Sequence, residues 1–251
     1  MLECRPFQRP LEKPRPTKGI PSRERLIFAM DLPDADAARA LAEDLGDSVQ
    51  FYKLGLELMM AGGYFDLIDW LVTRNKKIFV DLKFFDVPAT VARAVARLRD
   101  RGITFATVHG NQSIMEAAAA AKGDVGILAV TVLTSLDRGD LDDLGFSCDV
   151  SQLVLSRARR ALEAGCDGVI SSGLEVAQLR EFVDDKLVVV TPGIRPVENR
   201  PSDDQKRVVS VPQAFANGAD YIVVGRPIRD AQDPRAAAEG IQRTIAEVFN
   251  G

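Results

Sequence analysis

Asp81, Lys83 and Asp86 place a carboxylate, an ammonium and a second carboxylate within Val80-Asp81-Leu82-Lys83-Phe84-Phe85-Asp86-Val87-Pro88. Lys77-Ile78-Phe79 precedes this stretch, so it reads as the end of a buried strand running into a loop, with a helix beginning near Pro88. Side chains alternate along a strand, which puts Asp81 and Lys83 on one face and Val80 and Leu82 on the other. A fixed ammonium can stabilise a developing carbanion and then give it a proton. The plainer reading is an ion pair that closes the strand, because charges taken out of water are costly unless paired or used. Asp-x-Lys alone leaves both readings open.

The elements that must position these groups follow a regular alternation. Apolar runs at 26–30, 50–55, 105–109, 126–131, 168–171, 187–191 and 221–224, together with the opening stretch that follows Lys77-Ile78-Phe79, read as eight strands. Helical stretches fall between them at 34–46, 64–74, 90–101, 113–121, 150–164, 174–182 and 210–217, and a last one runs from Asp233 to Phe249. Asp34 and Gly46 are good start and stop residues for the first helix. Continuous Val/Ile strands are buried on both faces, as parallel strands are. Eight βα repeats over roughly 250 residues predict an α/β fold of the (β/α)8, or TIM, barrel type in a single domain. An open doubly wound sheet lacks support, because no Gly-x-Gly-x-x-Gly follows the first strand. Residues 26–251 are assigned to the barrel and residues 1–25 to a proline-rich N-terminal extension. That arm carries Pro6, Pro10, Pro14, Pro16 and Pro21 without helical or strand period. An ordered clasp and a disordered tail both fit it.

Active sites of such barrels lie at the C-terminal strand ends. Those ends here carry Asp31, Lys53, Asp81, Lys83, His109, Thr134, Arg195 and Arg226. His109 alone reads as a satisfied core imidazole, and Asp31 as a helix cap. Two acids and two lysines converging on one mouth are harder to explain as packing. Gly225-Arg226 after strand eight is a phosphate signal, since glycine admits close backbone approach and arginine offers a bidentate fork. The charged stretch 197–207 is long and polar enough for a lid.

The chain has 251 residues, 46% hydrophobic and 27% charged, with net charge −4 and pI about 5.2. That balance argues against a nucleic-acid surface. No apolar run is long enough for a membrane span. Cys4, Cys148 and Cys166 are sparse and form no CxxC pattern, which fits a reducing, cytoplasmic setting. A single histidine cannot anchor a multi-His metal site.

Asp81-x-Lys83-x-x-Asp86-x-Pro88 resembles the orotidine 5′-phosphate decarboxylase family when taken with Asp31, Lys53, Leu133-Thr134-Ser135, Thr191-Pro192-Gly193-Ile194-Arg195, Asp203-Asp204-Gln205 and Val224-Gly225-Arg226-Pro227-Ile228. The likeness spans about Arg25 to Phe249. It implies decarboxylation of orotidine 5′-phosphate to uridine 5′-phosphate, the last step of UMP synthesis, with no cofactor and no metal. It implies Lys83 as proton donor to C6 of the pyrimidine, Asp81 near the departing carboxylate and Lys53 holding the array. It also implies a homodimer with shared sites, in which Asp86 and Thr90 act across the interface. By the same likeness Asp31 contacts ribose, Thr134 the base with Ser135 beside it, and Pro192 packs near the base. Arg195, Gln205, Gly225 and Arg226 grip phosphate. The resemblance says nothing about the N-terminal arm.

Two alternatives are weighed against this. Mg²⁺-dependent sugar-phosphate relatives share Asp-x-Lys-x-x-Asp but carry an acid on strand two, where this chain has Lys53, which would repel a metal. A catalytically inactive nucleotide-binding barrel would not need Lys53, Asp81, Lys83 and Asp86 together.

Overall fold

The computed structural model describes residues 18–195 and 208–250. Eight parallel strands close into a barrel in sequence order, β1 pairing with β8. They are β1 Leu26–Ala29, β2 Phe51–Leu54, β3 Lys77–Phe84, β4 Ile103–His109, β5 Gly126–Val130, β6 Gly168–Ile170, β7 Val188–Thr191 and β8 Tyr221–Val224. The helices outside them are α1 Ala35–Leu45, α2 Leu56–Ala61, α3 Tyr64–Val72, α4 Pro88–Ala96, α5 Gln112–Ala121, α6 Arg138–Asp143, α7 Val150–Glu163, α8 Val176–Phe182, α9 Val211–Ala216, α10 Arg226–Arg229 and α11 Pro234–Asn250. The predicted (β/α)8 barrel is the observed fold. Among the described residues, no helix is long and apolar enough to cross a membrane.

Three short helices go beyond the sequence reading. α2 and α10 follow directly on β2 and β8. α6 interrupts the polar connection after β5 and is set by a capping box, with Asp137 bonded to the Asp140 N–H and Asp140 bonded back. α4 stops at Ala96 instead of continuing to Arg101. Asp100 and Gly102, at φ +60° and +69°, turn the chain into β4.

Alternation along the strands divides the core in two. One set of side chains packs outward under the helices. The other fills the barrel with Ile27, Phe51, Phe79, Phe105, Leu128, Val190, Tyr221 and Val223. Phe105 lies 5.7 Å from Phe51 and 5.6 Å from Tyr221, so aromatic rings block the N-terminal half. Asp31, Lys53, Asp81 and Lys83 line the cleft at the C-terminal mouth.

Residues 1–17 of the proline-rich extension lie outside the described residues. Ile20 packs against the barrel's interior core. Lys18 Nζ donates to Leu187 O and to Asp220 Oδ2, each at 2.6 Å. The same Asp220 oxygen accepts from Arg180 Nη2 at 2.8 Å and from the Val189 N–H at 2.9 Å. Asp220 is thus the hub of a buried cluster that ties Lys18 to the starts of β7 and β8. We predict that Asp220→Ala destabilises the fold by about 3–5 kcal/mol, because it removes the carboxylate that the buried Arg180 guanidinium, Lys18 and the Val189 N–H share. Lys18→Met should cost only about 1–2 kcal/mol, since Asp220 keeps its other donors. Urea midpoints check both values, and equal losses for the two variants would contradict the hub.

Candidate active site

Four charged side chains of alternating sign meet at the C-terminal mouth. Asp31 follows β1, Lys53 lies on β2, and Asp81 and Lys83 lie on β3. Lys53 Nζ is 3.0 Å from Asp31 Oδ1 and 3.5 Å from Asp81 Oδ2. Lys83 Nζ is 3.0 Å from that same Asp81 oxygen. Asp81 and Lys53 are the buried members, each side chain 11% exposed, whereas Lys83 is 35% exposed and faces the opening. Burial acts to raise the Asp81 carboxyl, but the Lys53 and Lys83 ammoniums outweigh it and hold it below its usual range. Burial acts to lower Lys53, and Asp81 with Asp31 reverses this, so its ammonium is held above the ordinary lysine value. Gly55 leaves room for this array: a Cβ there would stand 3.2 Å from Lys53 Nζ.

Lys83 is not reached by a regular strand. Val80 pairs with Ala106 and Phe84 with Val108, so β3 takes more residues than β4 over the same span. The bulge is absorbed at Lys83, whose φ is +47°. The other described non-glycine residues with positive φ, Asn75 and Asp100, are of types that tolerate this conformation. A lysine there stores local strain, as residues at functional sites often do. Asp81 and Lys83 therefore meet through the bulge as well as through strand alternation.

A buried hydroxyl lies behind them. Thr107 Oγ1 on β4 donates to Asp81 Oδ1 at 2.9 Å and accepts the Lys83 backbone N–H at 2.9 Å. The sequence reading passed over Thr107. Its available signal was parity, since it shares a strand face with Phe105 in the barrel interior.

The array forms one wall of a cleft of about 490 Å³. Thr134, Ser135, Pro192, Arg195, Gly225 and Arg226 all line the same cleft. Gly225 passes close to β1, where a Cβ would stand 3.3 Å from Ala29 Cβ. Arg229 also lines the cleft and was not singled out from sequence; its Nη1 donates to Asp31 O at 3.0 Å. Gln205 and the whole of the expected lid, 197–207, lie outside the described residues.

Asp86 and Thr90 are not brought to the cleft of their own chain. Asp86 is exposed and accepts the Val87 N–H at 2.6 Å, and Thr90 Oγ1 accepts from Arg93 Nη2 at 3.2 Å. Phe85 and Val87, on either side of Asp86, are 65% and 63% exposed. His109 sits at the rim instead of in the core, half-buried, with its ring 4.5 Å from that of Phe85 and Nδ1 3.0 Å from Asn111 Oδ1. Burial lowers its pKa from the usual histidine value.

A second cleft, about 500 Å³, opens at the opposite end near Trp70, Arg74, Lys76 and Arg235. Its cations are committed to the fold: Lys76 Nζ donates to Gly46 O and Val49 O, and Arg74 stacks over Trp70. The convergent chemistry is at the C-terminal mouth.

The family model described as orotidine 5′-phosphate decarboxylase / HUMPS matches residues 24–241. The chain belongs to that family. It is 69% identical, over 92% of its length and 96% of the relative's, to the orotidine 5′-phosphate decarboxylase of Methylococcus capsulatus. It is 51% identical, with the same coverage, to that of Xanthomonas campestris. Among solved structures, the orotidine 5′-phosphate decarboxylase of Lactobacillus acidophilus superposes with a TM-score of 0.78 at 36% identity, covering 91% of this chain and all of that one. The matched span of the orotidine 5′-phosphate decarboxylase / HUMPS family holds every charged residue of the mouth, whereas residues 1–23 fall outside it.

Proposed function

We propose that this chain is a carboxy-lyase that converts orotidine 5′-phosphate to uridine 5′-phosphate and CO₂, the last step of UMP synthesis. The observation that carries this is the Asp31–Lys53–Asp81–Lys83 array in a chain of this family. The alternative is a Mg²⁺-dependent sugar-phosphate enzyme with the same Asp-x-Lys-x-x-Asp. Here the Lys53 ammonium lies between Asp31 and Asp81, where a bound cation would otherwise neutralise the two carboxylates. That, together with the relatives' names, favours the decarboxylase.

The chemistry follows from charge placement. The C6–carboxylate bond breaks, CO₂ departs, and its electron pair remains on a ring carbon with no attached electron sink. The Lys83 ammonium stabilises that charge and gives its proton to C6, and is reprotonated from solvent. Asp81 stands beside the substrate carboxylate and repels it, a repulsion that falls as CO₂ leaves. Lys53 keeps Asp81 ionised and fixed. Asp31 contacts ribose, Thr134 faces the base, and Pro192 packs near it. Arg195, Arg226, Gln205 and the Gly225 backbone grip the phosphate, whose binding energy supports events at C6.

The enzyme works as a homodimer with shared sites, each chain lending Asp86 and Thr90 to the other. Their absence from their own chain's cleft, and the apolar residues around Asp86, support this. Free Cys148 and Cys166 are consistent with a cytoplasmic setting.

The test is loss of orotidine 5′-phosphate absorbance on adding the pure protein in EDTA. Turnover is expected. A requirement for added Mg²⁺, or binding of UMP without turnover, would refute the assignment. Arg226→Ala should weaken phosphorylated ligands by about 2–4 kcal/mol, as for a lost charge-assisted fork. Its effect on orotidine lacking the phosphate should be close to nil. Equal losses for both would make Arg226 structural.

A further inference from the structure

The bulge at Lys83 needs something to hold it, and one atom of β4 is placed to do so. In a regular parallel ladder the Lys83 N–H would be directed at a β4 carbonyl. Here it ends on Thr107 Oγ1 at 2.9 Å. The same oxygen donates its proton to Asp81 Oδ1 at 2.9 Å. Thr107 is fully buried, so water cannot replace it without the strands opening. Asp81 Oδ1 is thereby engaged from behind, and Oδ2 is turned toward both ammoniums, 3.0 Å from Lys83 Nζ and 3.5 Å from Lys53 Nζ.

We propose that Thr107 is a positioning residue for the decarboxylation, its single hydroxyl locking the left-handed backbone of Lys83 and the plane of the Asp81 carboxylate in one geometry. The inference rests on the reaction proposed above, in which Lys83 and Asp81 do the chemistry. Its physical basis is preorganisation. The bulged conformation is unfavourable for a lysine, and it persists only where the surroundings over-determine it. Without the hydroxyl, the part-buried Lys83 N–H loses its acceptor and Asp81 Oδ1 loses its donor. The backbone then has reason to relax, which swings Nζ away from the reacting carbon. Displacements of about 1 Å in such a group cost on the order of 100-fold in rate. Arg195 and Arg226 sit across the cleft, after β7 and β8, and substrate binding through the phosphate does not pass through Thr107.

Thr107→Val removes the hydroxyl and keeps the shape, whereas Thr107→Ser keeps the hydroxyl and loses the methyl. For Thr107→Val, kcat should fall about 100-fold while KM and the UMP dissociation constant stay within about threefold. Thr107→Ser should keep kcat within about threefold of wild type. If circular dichroism shows that Thr107→Val does not fold, Thr107→Ala takes its place in the comparison. A hydroxyl-free variant with near-wild-type kcat overturns the proposal. So does a serine variant that falls as far as valine, or a loss confined to KM. Wild-type protein in the same assay separates the two claims. No wild-type turnover refutes the reaction itself, and wild-type turnover with an unaffected Thr107→Val refutes only the role of Thr107.

Discussion

Lys83→Ala is expected to abolish decarboxylation, by at least about 10⁴-fold, while leaving a folded protein that still binds UMP. Lys83 is 35% exposed at the cleft, the most open of the two ammoniums in the array. Lys53 cannot take over its task, because it is buried and bonded to Asp31. Folding should survive, because Asp81 keeps Lys53 and Thr107 as partners. The backbone supplies an internal control. Lys83 has φ +47°, where glycine carries no steric penalty and alanine carries the same one as lysine. Lys83→Gly should therefore be as inactive as Lys83→Ala and more stable than it by about 1 kcal/mol. Single-turnover assays and urea midpoints read the two effects separately. Near-normal turnover in either variant would remove Lys83 as proton donor. A glycine variant less stable than the alanine one would show that the positive φ is not strained.

Mixing two inactive variants is expected to restore activity. Asp86 follows β3 in an exposed turn with Phe85 and Val87, and it does not line the cleft that holds Lys83. A two-fold interface is reciprocal, so each chain can lend Asp86 to the other's cleft. Lys83→Ala and Asp86→Ala homodimers should both be severely impaired. In a heterodimer one site collects both lesions. The other takes Lys83 from one chain and Asp86 from its partner, and is intact. Random exchange of equal amounts should bring back roughly a quarter of the wild-type sites. Mass spectrometry establishes that exchange has occurred. If it has and no activity returns, Asp86 acts within its own chain and the shared-site reading fails.

The barrel was legible in the sequence because its signals are local and repeated. Val/Ile runs at regular spacing, with helical stretches between them, admit few arrangements of that length. The residues at the mouth were legible too, since position at a strand end follows from the strand itself. Asp31, Lys53, Asp81, Lys83, Thr134, Arg195 and Arg226 needed no tertiary knowledge to be singled out. Short helices were less legible. α2 and α10 are one or two turns long, too short for periodicity to register. α6 lies in a stretch that reads as polar loop, and its capping pair Asp137 and Asp140 is seen only in the structure.

What the sequence determined by itself was which groups stand at the mouth of the barrel and in what order around it. Only the tertiary structure decided how they meet. The spacing of Asp81 and Lys83 fixes a common face but says nothing of a bulge, because a bulge is a mismatch between two strands and is written in neither alone. The left-handed backbone at Lys83 exists because β4 presents Thr107 opposite it, more than twenty residues along the chain. The alternating order of charges likewise comes from three strands closing side by side, so that Lys53 is held by Asp31 and Asp81, carboxylates it could not reach along its own strand. Those are contacts between residues distant in the chain, and they form only when the barrel has closed.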